Sequence, residues 1–160
     1  MFRLHGIIGD FFPATKWQRC VVYWYRNAFT MSPWKHVKSI AAMLKAIHAQ
    51  EDRVAAREKA KLVAEKLWKM NLNKVAEFVE STVEGTLSYM DFPYEHWTHL
   101  RTSNALERIM KEIRHRTRVT GAFPDGYSAM MLVGAKLRHI STTKWETRQY
   151  LNTCKLYKTV

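Results

Sequence analysis

Glu107 opens a stretch, Ser103 to Arg118, that is otherwise dominated by cations. Lys111, Arg114 and Arg118 follow it four, seven and eleven residues later. On a helix those spacings put all four side chains on nearly one side. Arg108 and Arg116 add two more guanidinium groups, while Leu106, Ile109, Met110 and Ile113 mark an apolar face at i, i+3, i+4 and i+7. A carboxylate beside such a cradle suits phosphoryl transfer on a nucleic acid. Acidic side chains can hold the divalent ions, and arginine and lysine can hold the phosphates. Local chemistry offers a plainer role. Asn104 is a good N-cap, and a glutamate three residues later can bond back to the cap's amide in a capping box, where it also suits the helix dipole.

Other candidate groups carry less. Cys20 and Cys154 lie far apart and form neither a disulfide framework nor a CxxC knuckle. His96 and His99 are three residues apart, with nothing nearby to complete a zinc set.

The elements that must position Glu107 are mostly helical. Ser32-Pro33 reads as a helix start, with Val37, Ile40, Ala41, Leu44 and Ile47 along one face. "EDRVAAREKAKLVAEKLWKM" is rich in Ala, Glu, Lys and Leu, all strong helix formers. Val75, Phe78, Val79, Val83 and Leu87 mark a third helix. Together these predict a helical bundle over 33–90, ended by the proline of "DFPYE". "GAFPDG" closes the Glu107 helix, and Asp125 is placed to cap another through "YSAMMLVGAKLRHIS". The tail, 141–160, reads as one short helix with a frayed end. "CVVYWY", Cys20 to Tyr25, is β-branched and aromatic and reads as a buried strand. Its only local partner would be a short strand near Phe2–Ile8. The expected class is therefore mostly α with one or two short strands.

With 160 residues, 47% of them hydrophobic, the chain is long enough for one domain with a core. Its formal net charge is +12 and its pI about 9.9, which points to a polyanionic partner, nucleic acid or an anionic membrane surface. No apolar run approaches the ~20 residues of a membrane helix, and the N-terminus lacks a signal peptide's long apolar core. The expected setting is cytoplasmic, at the nucleoid, with DNA as partner, no membrane and no small-molecule substrate.

"RTSNALERIMKEIRHRTRVTGAFPDGYSA" resembles the C-terminal signature of the bacterial Mutator-type (IS256-like) transposases, which carry Asn-x-x-Glu-Arg, a basic run, then Gly-x-Phe-Pro. The matching residues are Asn104, Glu107, Arg108, Glu112, Arg114, Arg116, Arg118, Gly121, Phe123 and Pro124. "FFPATKWQRCVVYWYRN", "AAMLKAIHAQEDRVAAREKA" and "TKWETRQYLN" are also similar to family text, so the likeness runs from about Phe11 to Asn152. The resemblance implies a DDE transposase with a ribonuclease-H-like core, requiring Mg²⁺ or Mn²⁺, that cuts and joins DNA phosphodiesters. Glu107 would be its catalytic, metal-binding glutamate, and Arg108, Lys111, Arg114, Arg116 and Arg118 its DNA contacts. Residues 11–27 would hold the last core strand, 33–90 a helical insertion, and 102–140 the glutamate helix and the core helix after it.

Two departures qualify that picture. The family pattern needs two aspartates upstream of the glutamate. Asp10, Asp52, Asp91 and Asp125 do not stand where they are needed. The chain is thus expected to be the C-terminal part of a transposase, left by truncation or frameshift, and inactive alone. The family also commonly shows Cys (or Asp)-x-x-His, whereas here Tyr23 follows Cys20, and a phenol does not replace imidazole as a ligand or base. The competing expectation is a non-catalytic basic module that binds DNA, full-length transposase or a second copy of itself.

Overall fold

The aromatic run that reads as a strand is a helix. In the computed structural model, which describes residues 15–143 with 151 and 154, α1 spans Val21–Thr30, and among the described residues there is no strand. The reason lies one turn further along. Val21, Trp24 and Ala28 are the buried residues of α1, spaced i, i+3 and i+7, the period of a helix face and not of a pleat. Read only to Tyr25, the run is too short to show that period. Extended backbone survives just before the helix, up to its N-cap Cys20. This segment is stitched to a later loop rather than to a sheet. Arg19 N–H donates to Gly85 O at 2.7 Å, and the Gln18 amide donates to Thr86 O at 3.0 Å while accepting from Tyr89 N–H at 2.9 Å. The predicted Phe2–Ile8 strand and most of the tail 141–160 lie outside the described residues.

The chain divides into two units, residues 1–102 with 156–160 and residues 103–155. The first contains α1, α2 (Val37–Ile47), α3 (Arg53–Lys69), α4 (Asn73–Thr82) and the one-turn α5 (Trp97–Leu100), with 3-10 turns between. Each long helix gives one stripe to a common core: Ile40, Leu44 and Ile47 from α2, Ala56, Ala60, Val63, Ala64 and Leu67 from α3, and Val75, Ala76 and Val79 from α4. The three alanines of α3 leave little bulk between it and its neighbours, while its Glu and Lys residues stay outside.

Local chemistry sets the boundaries. Asp52 caps α3, its carboxylate accepting from Ala55 N–H at 2.7 Å. Asn71, at φ 57°, turns α3 into α4. Leu72 N–H reaches back to Leu67 O and Asn71 N–H to Trp68 O, a Schellman closure in which asparagine takes the left-handed position. Ser32 closes α1 instead of capping the next helix, its hydroxyl donating to Ala28 O at 2.6 Å. Pro33 then starts a 3-10 turn, Trp34–His36, that leads into α2.

A polar chain runs through this core. Trp24 Nε1–H donates to Thr82 Oγ1 at 2.7 Å. The Thr86 hydroxyl donates to Val83 O at 2.6 Å, which leaves it to accept from His48 Nε2–H at 2.9 Å. His48 Nδ1 is then the acceptor for Tyr25 O–H, 3.0 Å away. Outside the core, Arg53 and Arg57 both clamp Glu84, and Arg53 also reaches Asp91.

The second unit's described elements are α6 (Asn104–Thr120) and α7 (Gly126–Ser141). α6 ends at Gly121, whose φ of 75° and ψ of −96° belong to glycine, and a Cβ built there would touch nothing within 4 Å. Asp125 caps α7 through a 2.7 Å bond from Ser128 N–H.

Candidate nucleic-acid interface

Neither helix of the second unit has a fully buried residue. Ala105, Ile109, Ile113 and Thr117 form the half-buried stripe of α6, against Ala129, Leu132, Val133, Lys136 and Ile140 on α7. Two members of the predicted apolar face, Leu106 and Met110, stay exposed.

Glu107 lies in the first turn of α6, exposed to solvent. It is not half of a capping box. The N-cap is Ser103, not Asn104, and its side chain bonds no backbone amide. Instead the Ser103 hydroxyl donates to Glu107 Oε1 at 3.0 Å. The carboxylate thus carries one hydrogen bond from a hydroxyl and faces water with its remaining lone pairs.

The five cations that the sequence singles out are all exposed on α6, but they do not share one surface. Lys111, Arg114 and Arg118, with His115, line a shallow hollow of about 250 Å³. By helical spacing these three lie on the side of Glu107. Arg108 faces a groove of about 420 Å³ between α6 and α7, which Lys111 also lines, with Glu112, Lys136 and His139. Arg116 opens onto a third hollow, again with Lys136 and His139. Glu112 pairs with Lys136 at 3.4 Å, so the second acid of α6 ties the hairpin together.

Lys136 and His139 are contributors that sequence reasoning missed. Their signal is the i, i+3 spacing on α7, and it acquires meaning only when α7 is folded back along α6. Cys20 and Tyr23 belong to the first unit. As N-cap and helical residue they form no strand pair, and the Arg26 guanidinium lies over the Tyr23 ring at 5.3 Å. His96 is buried. Among the described residues no group of three or more His, Cys, Asp or Glu could hold a metal ion, and no helix is long and apolar enough to cross a membrane.

α6 thus presents two exposed carboxylates, Glu107 and Glu112, among several exposed cations. Residues 3–147 match the family described as Transposase, Mutator family, and the chain belongs to that family. It is 37% identical over 141 residues to the transposase for insertion sequence element IS406 of Burkholderia multivorans, covering 88% of this chain and 36% of that protein. It is 33% identical over 149 residues to the transposase for ISRM5 of Rhizobium meliloti, covering 93% and 37%. Identity is 31% over 144 residues to the transposase for IS256 in transposon Tn4001 of Staphylococcus aureus, covering 88% and 36%. The chain therefore spans little more than a third of the length of these relatives. No solved structure matches it.

Proposed function

We propose that this chain acts in DNA transposition as the glutamate-bearing part of a DDE-type strand transferase. The observation that carries the reading is Glu107 itself, solvent-facing at the head of α6 with Lys111, Arg114 and Arg118 on its side, in a member of a transposase family. In this reading those cations and Arg108 and Arg116 grip DNA phosphates and fix the duplex against the carboxylate. They carry no sequence information, so choice of element end resides elsewhere.

Among the described residues, Glu107 and its serine partner do not complete a divalent-metal site. Mg²⁺ requires near-octahedral oxygen coordination, and the described residues hold no further acid cluster. We assign Glu107 as one ligand of a set whose other members lie outside the described residues. When bound, Mg²⁺ or Mn²⁺ would supply Lewis acidity at the phosphodiester.

The test uses two proteins. One is the 160-residue chain alone. The other is a chimaera in which the chain replaces the matching stretch of the IS406 transposase. With element-end DNA and Mg²⁺, the chain alone should not nick above the level of its Glu107→Gln variant. The chimaera should nick, and Glu107→Gln should abolish nicking while leaving DNA binding intact. A Glu107→Gln chimaera that still cuts overturns the assignment.

A further inference from the structure

Trp34 is 90% exposed. Trp24 and Trp97 are buried, with indole N–H groups bonded to Thr82 Oγ1 and Phe92 O, and Trp68 N–H is bonded to Glu80. Among the described residues the Trp34 indole has no such partner. Leaving so large an apolar ring in water forgoes the stabilisation that burial would give it. Its backbone is held, since Pro33 fixes the start of its turn and His36 N–H closes it on Pro33 O at 2.9 Å.

The segment that follows Trp34 is basic. Lys38 and Lys45 follow at four and eleven residues, both exposed, and Lys35 stands beside the ring. None of the three is ion-paired with a described residue. From Phe11 to Gln50 the chain has no Asp or Glu at all. The stripe from Trp34, in the 3-10 turn, to Lys45 on α2 extends roughly 18 Å.

We propose that this stripe is a binding site for unpaired DNA. The Trp34 ring stacks on an exposed base, and Lys38 and Lys45 track the adjoining phosphates. Protein interfaces are depleted in lysine at their centres, which makes a protein partner the poorer fit. The inference deepens the DNA reading above, but uses none of the residues of the Glu107 helix.

The experiment measures binding of the intact chain to a fluorescein-labelled oligo(dT) 16-mer and to a duplex of equal length. Trp34→Ala should weaken single-strand binding about tenfold, change duplex binding less than twofold, and leave the melting temperature unchanged. Trp34→Phe should recover most of the loss. Lys38→Gln with Lys45→Gln should lower the single-strand salt slope by about 1.4, at ~0.7 per phosphate contact. If Trp34→Ala leaves single-strand affinity unchanged, or weakens duplex equally, this inference is overturned. The same holds if its only effect is to release the chain from phosphatidylglycerol vesicles or from a dimer. If the intact chain binds neither DNA, the DNA reading itself fails.

Discussion

His48 is the residue whose chemistry is most constrained by its surroundings. It lies between Trp24 and Tyr25 in edge-on ring contacts, with both ring nitrogens committed. Burial disfavours the imidazolium and outweighs the Leu44 carbonyl 3.4 Å from Nδ1, which favours it; with the nearby Arg101 charge adding to burial, the pKa falls from 6.5 to about 4. The same burial, with Tyr89 close by, pushes the Tyr25 phenol up to about 12. For His48 the sign follows directly. Between pH 6.5 and 4 the unfolded chain binds a proton that the folded chain refuses, so stability is full above that window and falls as pH falls through it. The expected loss is about 3 kcal/mol, measurable by urea unfolding at pH 7.5, 5.5 and 4.5. A flat profile would show that the imidazole is solvated. Glu84 extends the acid sensitivity below pH 4.5, because Arg57 and then Arg53 hold its carboxyl down at about 2. It is half exposed, so its share is small.

At the scale of elements, caps matter as much as cores. Asp52→Ala removes the bond to Ala55 N–H and should lower the stability of the first unit by about 1 kcal/mol, read as a shifted denaturation midpoint. Unchanged stability would mean that water replaces the cap without loss. Elements that carry such signals are the ones the sequence discloses. Asp125 announces α7, the run of Ala, Glu, Lys and Leu announces α3, and the Ile40–Leu44–Ile47 stripe announces α2; the Asp52 cap is seen only in the structure. α1 was hidden because the five aromatic and β-branched residues Val21 to Tyr25 satisfy a strand as well as a helix until Ala28 supplies the third contact. The Asn71 closure and the Gln18 bridge carry no pattern at all, since each depends on residues meeting in space. The site divides in the same way. Glu107 and the α6 cations are a one-dimensional pattern, whereas Lys136 and His139 join them only through the hairpin.

Over the whole molecule the core is unevenly distributed. The first unit buries a continuous set of side chains from Val21 to Trp97, and none of the described residues of the second is completely buried. Native-state hydrogen exchange should therefore show amides of Ile40–Leu44 and Val75–Val79 opening only with global unfolding, and amides of Asn104–Thr120 opening at markedly lower free energy. Equal protection in both would contradict this ranking.

The hairpin of α6 and α7 brings Arg108, Arg116, Lys136 and His139 around shared hollows, with Glu112 the one acid among them. Folding this element therefore works against mutual repulsion, eased by solvent but not removed. A polyanion laid along it relieves that repulsion and, by mass action, acts as a folding ligand. In the function proposed above, this segment is thereby tightened by its own cargo, and its rigidity becomes a report of occupancy.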